Sequence, residues 1–315
     1  MIDKTRVFYR LSNCDRSAYD LFRLNYKSLL HGLLLSCVLS SCSSQSFASN
    51  TPNLPIPRAI ASTSASPAEP IEPSLLWSSD FSEDNWRAHW DVRRQGSWGW
   101  QNAQVIADET GQFSKVLRIR YPRGSASPTV SRENDAPVGG TQFYGNLGLG
   151  AHEALKLSYF VRFSEEFDFV KGGKLPGLFG GTGNTGGRIP NGRDGFSTRF
   201  MWRQRGQGEV YAYLPTSRAH GTSIGRGQWR FQPGQWHHLE QEVTLNQPGQ
   251  RDGKVRVWVD GRLRLEKDQL EFRSTRALKI DGILFSTFFG GDDTSWATKK
   301  EVVADFANFA VYAID

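Results

Sequence analysis

Every cysteine of this 315-residue chain falls within its first 42 residues, at Cys14, Cys37 and Cys42, so no intrachain disulfide can form beyond that point. Whatever folds there relies on its core alone. Methionine is nearly absent, with two in the whole chain, whereas phenylalanine (20), tryptophan (10) and glycine (32) abound. That balance suits pleated strands joined by tight turns better than packed helices, and it implies an all-β fold. Internal repeats are lacking, which leaves one large β domain within the range that this length allows. Acidic residues are scarce in one region. Between Lys171 and Arg230 ten basic side chains meet only Asp194 and Glu209, a net +8 in a chain whose total is +6. A groove with that bias attracts a polyanion and speeds its encounter.

The N-terminus reads as an export segment. Basic Arg6, Arg10, Arg16, Arg23 and Lys27 precede an apolar stretch from Leu29 to Leu39, which is too short to span a bilayer. It ends in Leu39-Ser40-Ser41-Cys42, similar to a bacterial lipobox, whose cysteine is lipidated and becomes the mature N-terminus. Leu34-Leu35-Ser36-Cys37 is a poorer candidate, and an ordinary signal cleaved near Ala48 is the competing reading. Residues 43–73 are rich in Ser, Pro, Ala and Thr, the composition of a disordered linker. Residues 1–42 are therefore expected to be a signal, 43–73 a tether and 74–315 one folded domain. The expected location is exported, either lipid-anchored in the cell envelope or secreted.

Period-two alternation marks the strands. Leu155, Leu157, Tyr159, Val161 and Phe163 alternate with polar residues, Phe160 excepted. Lys254 to Leu265 reads as a hairpin turning on Asp260-Gly261, with Val255, Val257, Val259, Leu263 and Leu265 as its apolar set. The segments from His237 to Leu245 and from Leu278 to Phe289 behave similarly. Many short strands with turn signals between them predict a β-jelly-roll sandwich of two antiparallel sheets, one curved so that its outer face forms a concave substrate groove. From Phe196 to Arg203, Phe196, Thr198, Phe200 and Trp202 share one face, and Ser197, Arg199, Met201 and Arg203 the other. Tyr211 and Tyr213 likewise point opposite to Val210, Ala212 and Leu214. On pattern alone a solvated outer face is the better account of these residues, and the local excess of positive charge narrows that gap.

The chain resembles polysaccharide lyase family fourteen, the alginate and related polyuronate lyases. The residues that carry the resemblance are Phe169-Val170-Lys171-Gly172-Gly173-Lys174-Leu175-Pro176-Gly177-Leu178, Gly195-Phe196-Ser197-Thr198-Arg199-Phe200-Met201-Trp202 and Tyr211-Ala212-Tyr213. They continue in Phe231-Gln232-Pro233-Gly234-Gln235-Trp236 and in Phe288-Phe289-Gly290-Gly291-Asp292 followed by Trp296. The resemblance implies a jelly roll that cleaves an anionic uronic-acid polymer by β-elimination without a metal or other cofactor. It makes Lys174, Arg199, Tyr211 and Tyr213 the candidate catalytic residues, Lys171 being close enough in the motif to compete with Lys174. Ser197, Lys171, Arg203, Trp202, Asp292 and Trp296 are the expected substrate contacts.

These residue types suit the reaction. The C5 proton of a uronate is weakly acidic because the neighbouring carboxylate is negative, and an arginine such as Arg199 can neutralise that group through two bonds. A base must then take the proton and an acid must protonate the departing O4. A tyrosine whose pKa is lowered by a nearby cation can serve, and so can Lys174 if burial or neighbouring positive charge depresses its own. Of the tyrosines, Tyr213 is expected to matter more. Gly172 and Gly173 would let a sugar ring approach the backbone.

Two other classes compete. A glycoside hydrolase needs paired carboxyls, for which Glu240 and Glu242 are the candidates on one strand face. A binding module would use aromatic platforms such as Trp202, Trp258 or Trp296, but has no need to combine Lys, Arg and Tyr. Asp292 and Asp293 could hold calcium, though turn chemistry explains them as well. His237 and His238 read as structural. Nucleic acid fits poorly with export, a monomer is expected, and membrane contact is expected only through a lipid on Cys42. Metabolic labelling with a fatty acid tests that anchor. Label should vanish in Cys42→Ala; label that persists there excludes the site, and loss only in Cys37→Ala moves it.

Overall fold

The computed structural model describes residues 73–314; the basic leader, Cys37, Cys42 and the linker as far as residue 72 lie outside the described residues. Fifteen strands follow in order: β1 (Ser74–Ser79), β2 (Val92–Trp98), β3 (Ala103–Ala107), β4 (Lys115–Tyr121), β5 (Thr141–Gly145), β6 (Ala154–Phe163), β7 (Gly172–Gly181) and β8 (Gly195–Arg203). Then come β9 (Gly208–Tyr213), β10 (Thr222–Ile224), β11 (Trp236–Thr244), β12 (Gly253–Val259), β13 (Arg262–Leu270), β14 (Gly282–Thr287) and β15 (Val302–Ala313). Helices are short: α1 (Trp86–His89) and α2 (Pro128–Glu133), the second started by Ser127, whose side chain accepts from the Val130 N–H.

The strands form two antiparallel sheets, as a jelly roll requires. One runs β13-β12-β11-β6-β15-β4-β3, with β1 added beside β15; the other runs β10-β9-β8-β7-β14-β5-β2. The alternation along β6 is realised, since Leu155, Leu157, Tyr159, Val161 and Phe163 are all buried against the other sheet. Phe160 breaks the pattern because it faces outward, stacked on His238 and near Phe113. The Asp260-Gly261 turn joins β12 to β13 with both residues at positive φ, 54° and 71°. One expectation fails there. A bulge between the Val257 and Trp258 pairings shifts the register, so Leu263 lands on the outer side, 51 % exposed.

Aromatic rings fill the space between the sheets. Phe143 stacks on Phe285 with ring centroids 4.6 Å apart, and Trp90 meets Phe143, Phe285 and Phe309 edge-on. Such pairs each add about 0.5–1.5 kcal/mol beyond the area they bury, which suits a fold with no described disulfide. Three polar cross-links also pin one sheet to the other. The Gln241 amide of β11 accepts from Thr198 Oγ1 (2.9 Å) and donates to the Thr198 carbonyl (2.8 Å) in β8. Tyr159 of β6 donates to the Pro176 carbonyl in β7, and Tyr121 of β4 bonds Thr287 of β14. All three end on strands of the seven-stranded sheet, beneath its outer face.

Candidate active site

Lys174 reaches that outer face because of an irregularity. Lys174 pairs with Met201 and Gly177 with Arg199, so three steps along β7 oppose two along β8. The extra residue is a bulge at Leu175-Pro176. Proline has no N–H to give to a ladder and sits well at such a point. Strict alternation would place Lys174 and Gly177 on opposite faces; the bulge puts both on the side of Arg199.

On β8, Ser197, Arg199, Met201 and Arg203 share this side, opposite Tyr213, Tyr211 and Glu209 of β9. Lys174 Nζ lies 4.1 Å from the centre of the Tyr211 ring and 2.9 Å from Met201 Sδ. The Arg203 guanidinium lies 5.6 Å from the centre of the same ring. Arg203 is paired: its Nε and Nη2 meet Glu209 Oε1 at 2.8 and 2.6 Å, and Ser223 donates to the other oxygen of that buried carboxylate.

Arg199 is different. It is 1 % exposed, yet no carboxylate among the described residues pairs with it. Nη1 donates to Ser286 Oγ at 3.0 Å, and Ser286 donates in turn to Gln142. Nε is sealed from solvent without any partner. A buried guanidinium with an unused N–H edge is costly unless an anion completes it. Burial lowers the pKa of Arg199, with the neighbouring tyrosines opposing that shift.

The same cluster sets the proton chemistry. Burial, followed by the charges of Arg199 and Arg203, holds the Lys174 ammonium well below the ordinary lysine range. Tyr211 moves the other way: burial raises its pKa, Tyr213 adds to that, and the two arginines oppose it. A cation-lowered Tyr211 is thus not what forms here, because desolvation outweighs the cations. The two tyrosines also differ in their bonds. The Tyr213 hydroxyl accepts from the Gly187 N–H at 3.0 Å, whereas no protein bond among the described residues engages that of Tyr211.

Other expected contacts are redistributed. Ser197 is fully buried and donates to the Asn184 carbonyl at 2.7 Å, so it fastens the loop after β7 and does not touch Arg199. Trp202 is fully buried between the sheets against Tyr121, Phe163 and Phe289, and is no sugar platform. The face pattern had already grouped it with Phe196 and Phe200. Gly173 serves that packing: a Cβ there would stand 2.0 Å from the Trp202 ring and 2.5 Å from the Phe288 carbonyl. The glycine pair accommodates a tryptophan, not a sugar. Lys171 donates to Ser295 and lies 5.9 Å from the centre of the Trp296 ring, which Arg203 also approaches at 6.0 Å. Lys171 further lines an open cavity of about 430 Å³ with Arg205, Lys299 and Asp168. Asp292 is exposed, with no bond tying it to these groups. Asp293 accepts from the Ser295 N–H at 2.7 Å, the turn role.

The competing carboxylates lie elsewhere. Glu240 and Glu242 belong to the eight-stranded sheet and pair with Lys156 (2.6 Å) and Arg256 (3.7 Å). Trp258 sits beside Lys156 on that sheet. His237 Nε2 accepts from the Gln232 N–H while Nδ1 faces Asp260, and His238 bonds Ser158, all structural roles.

A buried arginine without a carboxylate partner among the described residues, beside a lysine and a tyrosine, is the equipment of an enzyme acting on acidic sugars, and family comparison agrees. The polysaccharide lyase 14 profile matches residues 109–309, and the chain belongs to that family. It is similar to the marine family-14 alginate lyase from Aplysia kurodai, at 31 % identity over 76 % of this chain and 98 % of that one, with a TM-score of 0.65. An alginate lyase from Chlorella virus is 25 % identical over 67 % of this chain and 89 % of its own, with a TM-score of 0.58. The endo-β-1,4-glucuronan lyase of the fungus Trichoderma reesei shares the fold at 13 % identity, covering 76 % of this chain and 96 % of that one, with a TM-score of 0.52. No curated protein matches the chain.

The packing role of Gly173 is testable. Gly173→Ala should cost about 1–3 kcal/mol in denaturant unfolding, as overpacking does. Unchanged stability with a raised KM would restore the sugar-approach role instead.

Proposed function

We propose that this protein cleaves a polyuronate of the alginate or glucuronan type by β-elimination, with Lys174 as base, Tyr211 as acid and Arg199 as the partner of the substrate carboxylate. The observation that carries this is the buried Arg199, without a carboxylate partner among the described residues, beside a lysine whose Nζ lies over the Tyr211 ring. A uronate carboxylate at Arg199 would supply the missing counter-charge and disperse the negative charge that develops as C5 loses its proton. Lys174 Nζ takes that proton, the C5–H electron pair becomes the C4=C5 double bond, and the C4–O4 bond breaks. Tyr211 gives its hydroxyl proton to O4. The cycle closes when the ammonium of Lys174 returns a proton to the phenolate through water.

The pKa directions support these roles. A base must be neutral to act, so the rate rises with pH through the depressed pKa of Lys174. An acid must keep its proton, so the rate falls only as the raised pKa of Tyr211 is passed. Tyr213, bonded to Gly187, holds the loop over this end of the sheet. Its hydroxyl is therefore the less important of the two, reversing the order expected from sequence. The apolar stretch ending at Cys42 and the linker after it support an exported enzyme tethered by a lipid.

Ultraviolet absorbance of the new double bond, followed over a panel of polyuronates, tests the reaction: the chromophore should appear with at least one of them, and sugar release without it would mean hydrolysis. On the best substrate Tyr211→Phe should lose about a hundredfold or more in kcat, the range of one missing proton donor, while Tyr213→Phe loses clearly less. Equal rates for wild type and Tyr211→Phe would remove that tyrosine from the chemistry.

A further inference from the structure

A second basic cavity lies at the opposite edge of the same sheet. It measures about 410 Å³, within the size range of small-ligand pockets, and is lined by Arg87, Val92, Arg93, Arg94, Ser97 and Trp100 among others. No carboxylate lines it. Arg87 and Arg94 are exposed and form no ion pair among the described residues. Among acids close in sequence or on neighbouring strands, Glu83 pairs with His89, Asp281 accepts from the Gly181 N–H, and Asp91 faces the Asn146 amide.

The register connects this cavity to the catalytic cluster. Tyr211 pairs with Arg199, Arg199 with Gly177, Gly177 with Leu284, Leu284 with Tyr144 and Tyr144 with Arg93. These six positions form one row across one face of the sheet. Five strand steps of about 4.8 Å separate Tyr211 from Arg93, roughly 24 Å along the row. Arg93 sits at the junction: its guanidinium lies 5.2 Å from the centres of both the Tyr144 and Phe179 rings while the residue also lines the cavity. Arg87 lies over the Trp100 ring, 4.2 Å from its centre, and Phe143 stacks on the same indole at 5.2 Å, which holds a cation at the aromatic wall of the cavity. A polymer bearing a carboxylate on every sugar presents charge at regular intervals. A chain anchored at Arg199 and running toward β2 over the buried Leu284 and Tyr144 would reach this group of free cations.

We infer that the cavity between α1 and β2, with Arg87 and Arg94 as its free cations and Trp100 as its aromatic wall, is a distal subsite for a uronate unit of the same polymer. The inference rests on the polyuronate reading, since it takes the ligand class from it. Two rim contacts of this kind, screened by solvent, should together strengthen binding of a long chain by about tenfold.

Affinity electrophoresis in gels containing sodium alginate measures binding without needing turnover. Arg87→Gln/Arg94→Gln should show an apparent Kd for alginate about tenfold weaker than wild type, with an unchanged thermal midpoint. If the double variant melts early through loss of the Arg87–Trp100 contact, Arg94→Glu decides in its place, with weaker retardation expected. Retardation equal to wild type in the folded variant overturns the subsite. Double-bond absorbance of the wild-type protein on the same alginate reports separately on the reaction, so retardation that depends on Arg94 in an enzyme without lyase activity would leave the subsite standing and remove the activity.

Discussion

The arrangement on the seven-stranded sheet depends on one electrostatic imbalance: positive charge buried without its anion. Arg203 has Glu209, and Lys156, Arg256 and Arg118 elsewhere have their own carboxylates. Arg199 has a serine hydroxyl and an idle Nε. A fold tolerates such a group only where the surroundings are held firmly, because relaxation toward water would otherwise relieve it. The pins from Gln241 and Tyr159 end on β8, which carries Arg199, and on β7 beside it, and that from Tyr121 ends on Thr287, next to the Ser286 that Arg199 bonds. The aromatic core beneath them thus has a functional consequence.

The imbalance also explains the division of proton chemistry. Two guanidiniums and burial act together on Lys174, because each disfavours an ammonium. For Tyr211 the two influences conflict, since burial disfavours the phenolate and the guanidiniums favour it, and burial prevails. One environment therefore pushes the lysine toward a neutral base and the tyrosine toward a retained acid. A carboxylate arriving at Arg199 would offset part of the positive field at the moment when Lys174 becomes an ammonium. Substrate binding and proton acceptance then favour one another.

Much of this was legible in the sequence. Alternation in β6, β8, β9 and β11 located the sandwich, and the surplus of Lys and Arg between 171 and 230 pointed to the sheet that carries Lys174 and Arg199. Motif resemblance brought Lys174, Arg199, Tyr211 and Tyr213 together, and they do cluster. What alternation could not show was the bulge at Leu175-Pro176, although a proline inside a strand pattern was its signal. Burial of Ser197 and engagement of Tyr213 depend on Asn184 and Gly187 in the following loop, and a loop's course carries no periodicity to read. Trp202 was misassigned because aromatic content was weighed over its own face pattern. Arg87 and Arg94 lie more than 80 residues before the tyrosines and become relevant only once β2 is seen at the sheet edge.

The central claim is that burial beside an uncompensated Arg199 holds the pKa of Lys174 well below the ordinary lysine range. It is tested most directly by NMR titration of isotopically labelled lysine side chains, with the Lys174 signal assigned by its loss in Lys174→Arg. The midpoint should fall well below the ordinary lysine value of about 10.4, and should rise in Arg199→Gln as one positive neighbour is removed. A Lys174 that titrates at the ordinary value in the wild type, unmoved by loss of the Arg199 charge, would contradict the account.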